Sequence, residues 1–147
     1  MEHLPLLPPG IHDLQEPELS NHFLQQFPES ATRQKLINGL RRFIALLKSH
    51  GVRFELWIDG SFTTEKLNPN DIDLVVFFDF KEVDALPPDV QSRLNVLVDR
   101  HTAKQNFGCD VLVSNKDDQE HRSYWRGWYG FDRNENPKGI ARIVAGV

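Results

Sequence analysis

The chain has 147 residues, 39% hydrophobic and 26% charged, which is enough apolar material for one globular domain with a real core and too short for a second. Its formal net charge of −4 argues against broad, non-specific nucleic-acid binding, which needs a basic surface to displace counterions from phosphates. Cys109 is the only cysteine, so no internal disulfide is possible. No apolar run approaches the ~18 residues of a membrane span, and Met1-Glu2-His3 lacks a cationic leader. The expectation is a cytoplasmic chain with no membrane contact.

Residues 1–28 read as a proline-rich arm, with Pro5, Pro8, Pro9 and Pro17 working against regular structure. Within it, Ile11 to Leu14 is expected to be a turn capped by Asp13. Leu19, Phe23, Leu24 and Phe27 can pack a short helix onto the body formed by residues 29–147. Ser30 is placed to cap a helix in which Leu36, Ile37, Leu40, Phe43, Ile44 and Leu47 recur at helical spacing through about Lys48, and Gly51 closes it. From Val52 to Ile58 the pattern alternates as a strand, with Phe54, Leu56 and Ile58 on one face and Trp57 on the other. Pro69-Asn70 makes a turn, and Ile72 to Phe80, apolar on both faces, reads as a strand at the middle of a sheet. Pro87-Pro88-Asp89 opens a helix with a buried stripe of Val90, Leu94, Leu97 and Val98, and Phe107-Gly108 turns into a short strand over 109–113. A last helix is expected over Gln119 to Tyr129 and an edge strand over Gly139 to Val144. The fold class is therefore α/β (α+β), a small mixed sheet flanked by helices.

The chemistry concentrates in Trp57 to Phe80. Asp71 and Asp73 stand two apart at the head of a strand, so their side chains project to the same face. Two adjacent carboxylates repel unless a cation or proton lies between them, and Mg²⁺ (or Mn²⁺) favours oxygen ligands while keeping room for substrate phosphates. The alternative for the same residues is that Asp71 caps the turn after Pro69-Asn70 and Asp73 is solvated. Upstream, Gly60 lets backbone approach a phosphate, and Ser61 offers a hydroxyl and an N–H, best placed if a short helix starts at Phe62. Thr63, Thr64 and Lys66 lie within reach of a triphosphate. Asp59 reads as a turn residue.

Gly60-Ser61, the nine residues after it, and Asp71-Ile72-Asp73 opening an apolar strand together resemble the pattern of the DNA polymerase β nucleotidyltransferase superfamily, in its minimal type. The opening, proline-glycine then an apolar-His-Asp step, is similar to that of bacterial proteins that also carry a Trp-Ile-Asp-Gly-Ser-like stretch. The resemblance implies a nucleotidyltransferase-like fold and a third carboxylate on a later strand, for which Asp110 is placed. It implies that Asp71 and Asp73 bridge two metals, and that Asp110 binds the one nearer the attacking group and helps deprotonate the nucleophile. It further implies a nucleoside triphosphate as substrate, ATP among them, and transfer of its nucleoside monophosphate to an acceptor hydroxyl. The chain departs from many such relatives in Phe62-Thr63-Thr64-Glu65 and in Asn70, where they carry a basic residue with a glycine, and a serine. No acceptor-binding domain follows the core, so the acceptor is expected to be a protein or RNA. The resemblance to minimal nucleotidyltransferase antitoxins suggests the cognate toxin of a bacterial two-gene module. The rival class is a non-catalytic module that senses nucleotide or holds a partner.

Tyr124, Trp125, Arg126, Trp128, Tyr129, Phe131 and Arg133 interleave aromatics with arginines, which can stack bases but more often form a helix with one core face. Arg122, Arg126, Arg133, Lys138 and Arg142 outnumber Asp132 and Glu135, an expected basic docking patch in which Lys138 can contact phosphate. The histidines lack metal-ligand spacing, and Cys109 reads as a small buried strand residue.

Overall fold

The computed structural model describes residues 3–131 and 137–145. Its framework is a five-stranded mixed sheet in the order β1-β5-β2-β3-β4, built from β1 (Gly10–Asp13), β2 (Phe54–Asp59), β3 (Ile72–Phe78), β4 (Cys109–Asn115) and β5 (Gly139–Ala145). β2 runs antiparallel to both β3 and β5, whereas β1 with β5 and β3 with β4 are parallel pairs. The mixed α/β class expected from the residue pattern is the class observed.

Alternation along the strands divides the core in two. Phe54, Leu56 and Ile58 of β2 and Leu74, Val76 and Phe78 of β3 face a large cluster. Against this face pack α1 (Glu18–Phe23), α2 (Arg33–Ser49), α4 (Pro88–Leu97) and α5 (Arg100–Phe107), which supply Leu19, Leu40, Leu94 and Phe107 among others. Each such side chain, fully buried, contributes about 1.5–3 kcal/mol. At the crossing of α2 and α5 a side chain on Gly39 would collide with the Phe107 carbonyl, so glycine sets that close approach. Trp57, Val75, Phe77 and Ile140 point to the opposite face, where Tyr129 and Trp125 of α6 (Gln119–Tyr129) cover them. The C-terminal end of α6, at Gly127, Trp128 and Tyr129, lines the cleft beside the site. No helix among the described residues is long and apolar enough to cross a membrane.

The structure corrects four local expectations. Residues 10–13 are a strand and not a turn, because β5 supplies a parallel partner that no local pattern reveals. For the same reason β5 is an interior strand, held between β1 and β2, and its Ile140 and Ala141 are buried on opposite faces. β3 ends at Phe78, since the Asp79 carboxylate accepts the Lys81 N–H and starts α3 (Phe80–Asp84). The expected single helix before β4 is two, restarted where Asp99 accepts both the N–H and the hydroxyl of Thr102. The expected cap at Ser30 is present in kind: its hydroxyl oxygen accepts the Arg33 N–H at 3.1 Å, although α2 begins three residues later.

Candidate active-site cleft

Strand register brings the acids together. Asp59 of β2 pairs with Asp73 of β3, and Asp73 pairs with Asp110 of β4, so three carboxylates stand in a row across adjacent strands, on the sheet face that carries Trp57 and Val75. Asp71 joins them from the residue before β3, two positions ahead of Asp73. Carboxylate oxygens of Asp71, Asp73 and Asp110 all lie within 4.8 Å of one another, a donor set able to hold a metal ion.

Their electrostatics differ. Burial pushes the Asp73 carboxyl up to about 6, with the negative charges of Asp71 and Asp110 adding to the rise. Asp59 is completely buried, and burial pushes it up to about 7 against the opposing pull of Lys138, whose Nζ is 3.1 Å from Asp59 Oδ1. Asp110 is held below its ordinary value by the Arg100 guanidinium, which donates from Nε and Nη2 to its two oxygens at 2.6 and 3.1 Å. Lys104, one turn further along α5, is 3.4 Å from Asp71. A cluster in which one carboxyl resists ionisation, through burial first and its neighbours' negative charge second, favours the arrival of further positive charge.

Asp59, Asp71 and Asp73 line a cleft of about 1350 Å³. Gly60 and Ser61 form its rim, with Thr64 and Lys66 beyond them, and Trp128 and Phe131 stand exposed on its α6 side. Gly60 adopts φ 84°, and a Cβ there would run into the Asp73 carboxylate, so glycine is required twice over. A single turn of 3-10 helix spans Ser61–Thr63, the short helix that best presents Ser61, starting one residue before Phe62. Thr63 corrects another expectation: it is buried, and its hydroxyl donates to Asp59 Oδ1 at 3.1 Å, so it buttresses the acid row from behind instead of facing a triphosphate.

What holds this loop is Arg33, which the sequence reading passed over. It is fully buried at the start of α2 and donates from Nη1 to the carbonyls of Phe23 and Phe62, and from Nη2 to those of Thr64 and Lys66, at 2.7–2.9 Å. The Phe27 ring lies 3.8 Å beneath its guanidinium. Arg33 falls at helical spacing from Leu36, Ile37 and Leu40, so its place on the apolar face of α2 was a readable sign. The pairing of Arg100 and Lys104 with Asp110 and Asp71 had no local sign, since it depends on α5 packing beside β4. Asp59, expected to be a turn residue, closes β2 and belongs to the acid row.

Of the expected basic patch, Arg126 is exposed on α6, while Arg122, Lys138 and Arg142 are held in ion pairs. Arg122 pairs with Glu55 at 2.9 Å and lies over Phe77, Arg142 grips Asp13 through two nitrogens, and Lys138 pairs with Asp59. Arg133, Asp132 and Glu135 lie outside the described residues. In the aromatic stretch, Trp125 and Tyr129 pack on the sheet while Tyr124 and Trp128 are exposed. Burial, and then the charges of Asp73 and Asp59, raise the Tyr129 hydroxyl, which stays neutral. Cys109 is buried with its thiol pushed up to about 12, which rules it out as a nucleophile.

The chain belongs to the family described as "Family of unknown function (DUF6932)", whose profile matches residues 1–144. No curated protein and no solved structure matches it.

Proposed function

We propose that the chain is a metal-dependent nucleotidyltransferase of the minimal DNA polymerase β-like type, moving a nucleoside monophosphate from a triphosphate to a hydroxyl on a protein or RNA. The observation that carries this reading is the convergence of Asp71, Asp73 and Asp110, the first two of which line an open cleft together with Gly60 and Ser61. The donor set fits Mg²⁺ or Mn²⁺: it is all oxygen, it is negatively charged, and Asp73 is short of a counter-charge. Asp71, Asp73 and Asp110 would hold the ion, which when bound supplies Lewis-acid polarisation of the α-phosphate and screens its charge.

The chain's own groups account for the rest. The Ser61 hydroxyl and the Lys66 ammonium line the cleft where they can bind phosphate oxygens, and Arg33 fixes the backbone that carries them. Trp128 and Phe131 offer faces for a base. In the transfer, the acceptor oxygen bonds to the α-phosphorus, the bond from that phosphorus to the bridging oxygen breaks, and pyrophosphate leaves. Asp110 takes the acceptor's proton once Arg100, whose side chain is 66% exposed, has turned away from it. A cleft of about 1350 Å³ exceeds the ~300–1,000 Å³ of ordinary small-molecule pockets, which supports an acceptor entering beside the nucleotide. The cognate toxin of a two-gene module is one protein acceptor of this kind.

A second reading has one observation in its favour: Arg100 and Lys104 already neutralise Asp110 and Asp71, as suits a module that binds nucleotide without turnover. The test is a thermal-shift screen of triphosphates with and without Mg²⁺, followed by incubation of α-labelled triphosphate with total RNA and with lysate. A ligand at a hundred times its dissociation constant adds about 2.7 kcal/mol of apparent stability. The transferase reading expects a shift only with both components, loss of the shift in the Asp71→Ala/Asp73→Ala variant, and label in gel-resolved species. A shift without any macromolecular label leaves the binding module ahead, and no shift removes both.

A further inference from the structure

The cations around the acid row are of two kinds. Arg100 and Lys104 reach Asp110 and Asp71 from the surface of α5, with side chains 66% and 58% exposed, and both can swing into solvent when another cation arrives. Lys138 cannot. Its side chain is 13% exposed, its partner Asp59 is wholly buried, and the pair sits at 3.1 Å. Asp59 Oδ1 accepts from the Thr63 hydroxyl as well, while Oδ2 is buried with no hydrogen-bond partner. Lys138 also acts on the neighbouring carboxyl, since its charge pulls Asp73 down against burial. Asp59 stands in register beside Asp73 and lines the cleft. It is therefore the position at which a second divalent cation would find a further carboxylate, and an ammonium is already there.

We propose that Lys138 is a resident second positive charge, so that the chain takes one divalent cation, at Asp71, Asp73 and Asp110, and the Asp59 side of the cleft is closed to another. This rests on the metal reading above and changes its stoichiometry from the two ions that the family resemblance implies. Displacing Lys138 with an arriving cation would leave a largely buried ammonium without its carboxylate, whereas the cost of turning out Arg100 and Lys104 is that of two surface pairs. The ammonium lines the cleft as well, where it offers a phosphate group a fixed charge that no chelator removes.

The experiment is a titration of the full chain with Mn²⁺ alone, near pH 8.5 so that protons do not compete for the carboxylates, reading free Mn²⁺ by its electron paramagnetic resonance signal. The parent is expected to bind one ion. Lys138→Arg, which keeps the charge, is expected to bind one, and Lys138→Ala two, because Asp59 is released beside Asp73. Two ions in the parent, or one in a folded Lys138→Ala variant, overturns the inference. No ion bound by the parent overturns the metal reading itself, a different result from either. Should Lys138→Ala not fold, the parent count still decides between one ion and two.

Discussion

Replacing Arg33 by Met tests how the rim of the cleft is built. The guanidinium makes four hydrogen bonds to carbonyls of Phe23, Phe62, Thr64 and Lys66, tying the end of α1 to both halves of the loop after Ser61. Bonds to a charged donor are worth about 1.5–3 kcal/mol each, but the cost of burying the charge offsets much of this, as the lowering of Arg33 to about 10 shows. At neutral pH the group remains charged. In Arg33→Met that desolvation cost disappears, yet the carbonyls bonded by Nη1 stay buried without a donor, at about 1–3 kcal/mol each, while those bonded by Nη2 can be rehydrated from the cleft. The expected loss is about 3–5 kcal/mol, a large share of the ~5–15 kcal/mol typical of a domain. Lys reaches fewer of the four acceptors, and Arg33→Lys is expected to lose about 2 kcal/mol. Urea unfolding at pH 7 reads both. The folded Arg33→Lys protein should also bind Mg²⁺-triphosphate at least about tenfold more weakly, a change of ~1.4 kcal/mol. A loss below about 1 kcal/mol in Arg33→Met, with nucleotide binding intact, would show that the loop holds its shape without the clamp.

Three further outcomes follow from the geometry. Asp73 and Asp59 have folded values of about 6 and about 7 against an ordinary 3.8, so the stability they contribute is full below that ordinary value and lost as pH rises through the folded ones. The metal-free protein should therefore lose stability between about pH 4 and pH 7 in urea melts; Asp73→Asn should flatten the slope, and an unchanged slope would refute the assignment. Gly60→Ala places a methyl group against the Asp73 carboxylate on a backbone of φ 84°, and should cost about 1–3 kcal/mol with loss of Mn²⁺ binding by calorimetry; retained affinity would show that the acid row can shift. Deleting residues 1–28 removes β1 and α1 with the buried Leu7, Leu14, Leu19, Phe23 and Phe27, and is expected to leave no cooperative thermal transition; a two-state melt would show that the edge strand is dispensable.

The parts legible in the sequence are those whose cause is local. The 3.6-residue recurrence from Leu36 to Leu47 predicts α2, and the apolar runs around Trp57 and Val75 predict β2 and β3, because side-chain periodicity alone decides which face is buried. Gly60, Asp71 and Asp73 stood out by spacing. β1 did not, since its strand character comes from hydrogen bonding to residues 139–142, more than a hundred positions away. Thr63 was misjudged for a related reason: a hydroxyl in a loop reads as accessible until the buried Asp59 that it serves is located. Positive charge near the far end misled as well, because only the fold shows that Glu55, Asp59 and Asp13 already answer Arg122, Lys138 and Arg142.

The position of β5 between β1 and β2 has a consequence for how the molecule is made. Of the five strands it leaves the ribosome last, yet it occupies the interior of the sheet. A nascent chain that has emerged through α6 holds β2, β3 and β4 in hand, and so has its row of Asp59, Asp73 and Asp110, but one flank of β2 is unpaired and Lys138 has not arrived. Until it does, Asp59 has no buried counter-charge, and the β2 edge is open to any extended segment of another chain. Insertion of β5 closes that edge, brings the ammonium to Asp59 and gives β1 its partner in one event, so completion of the sheet and completion of the site's charge balance coincide during synthesis.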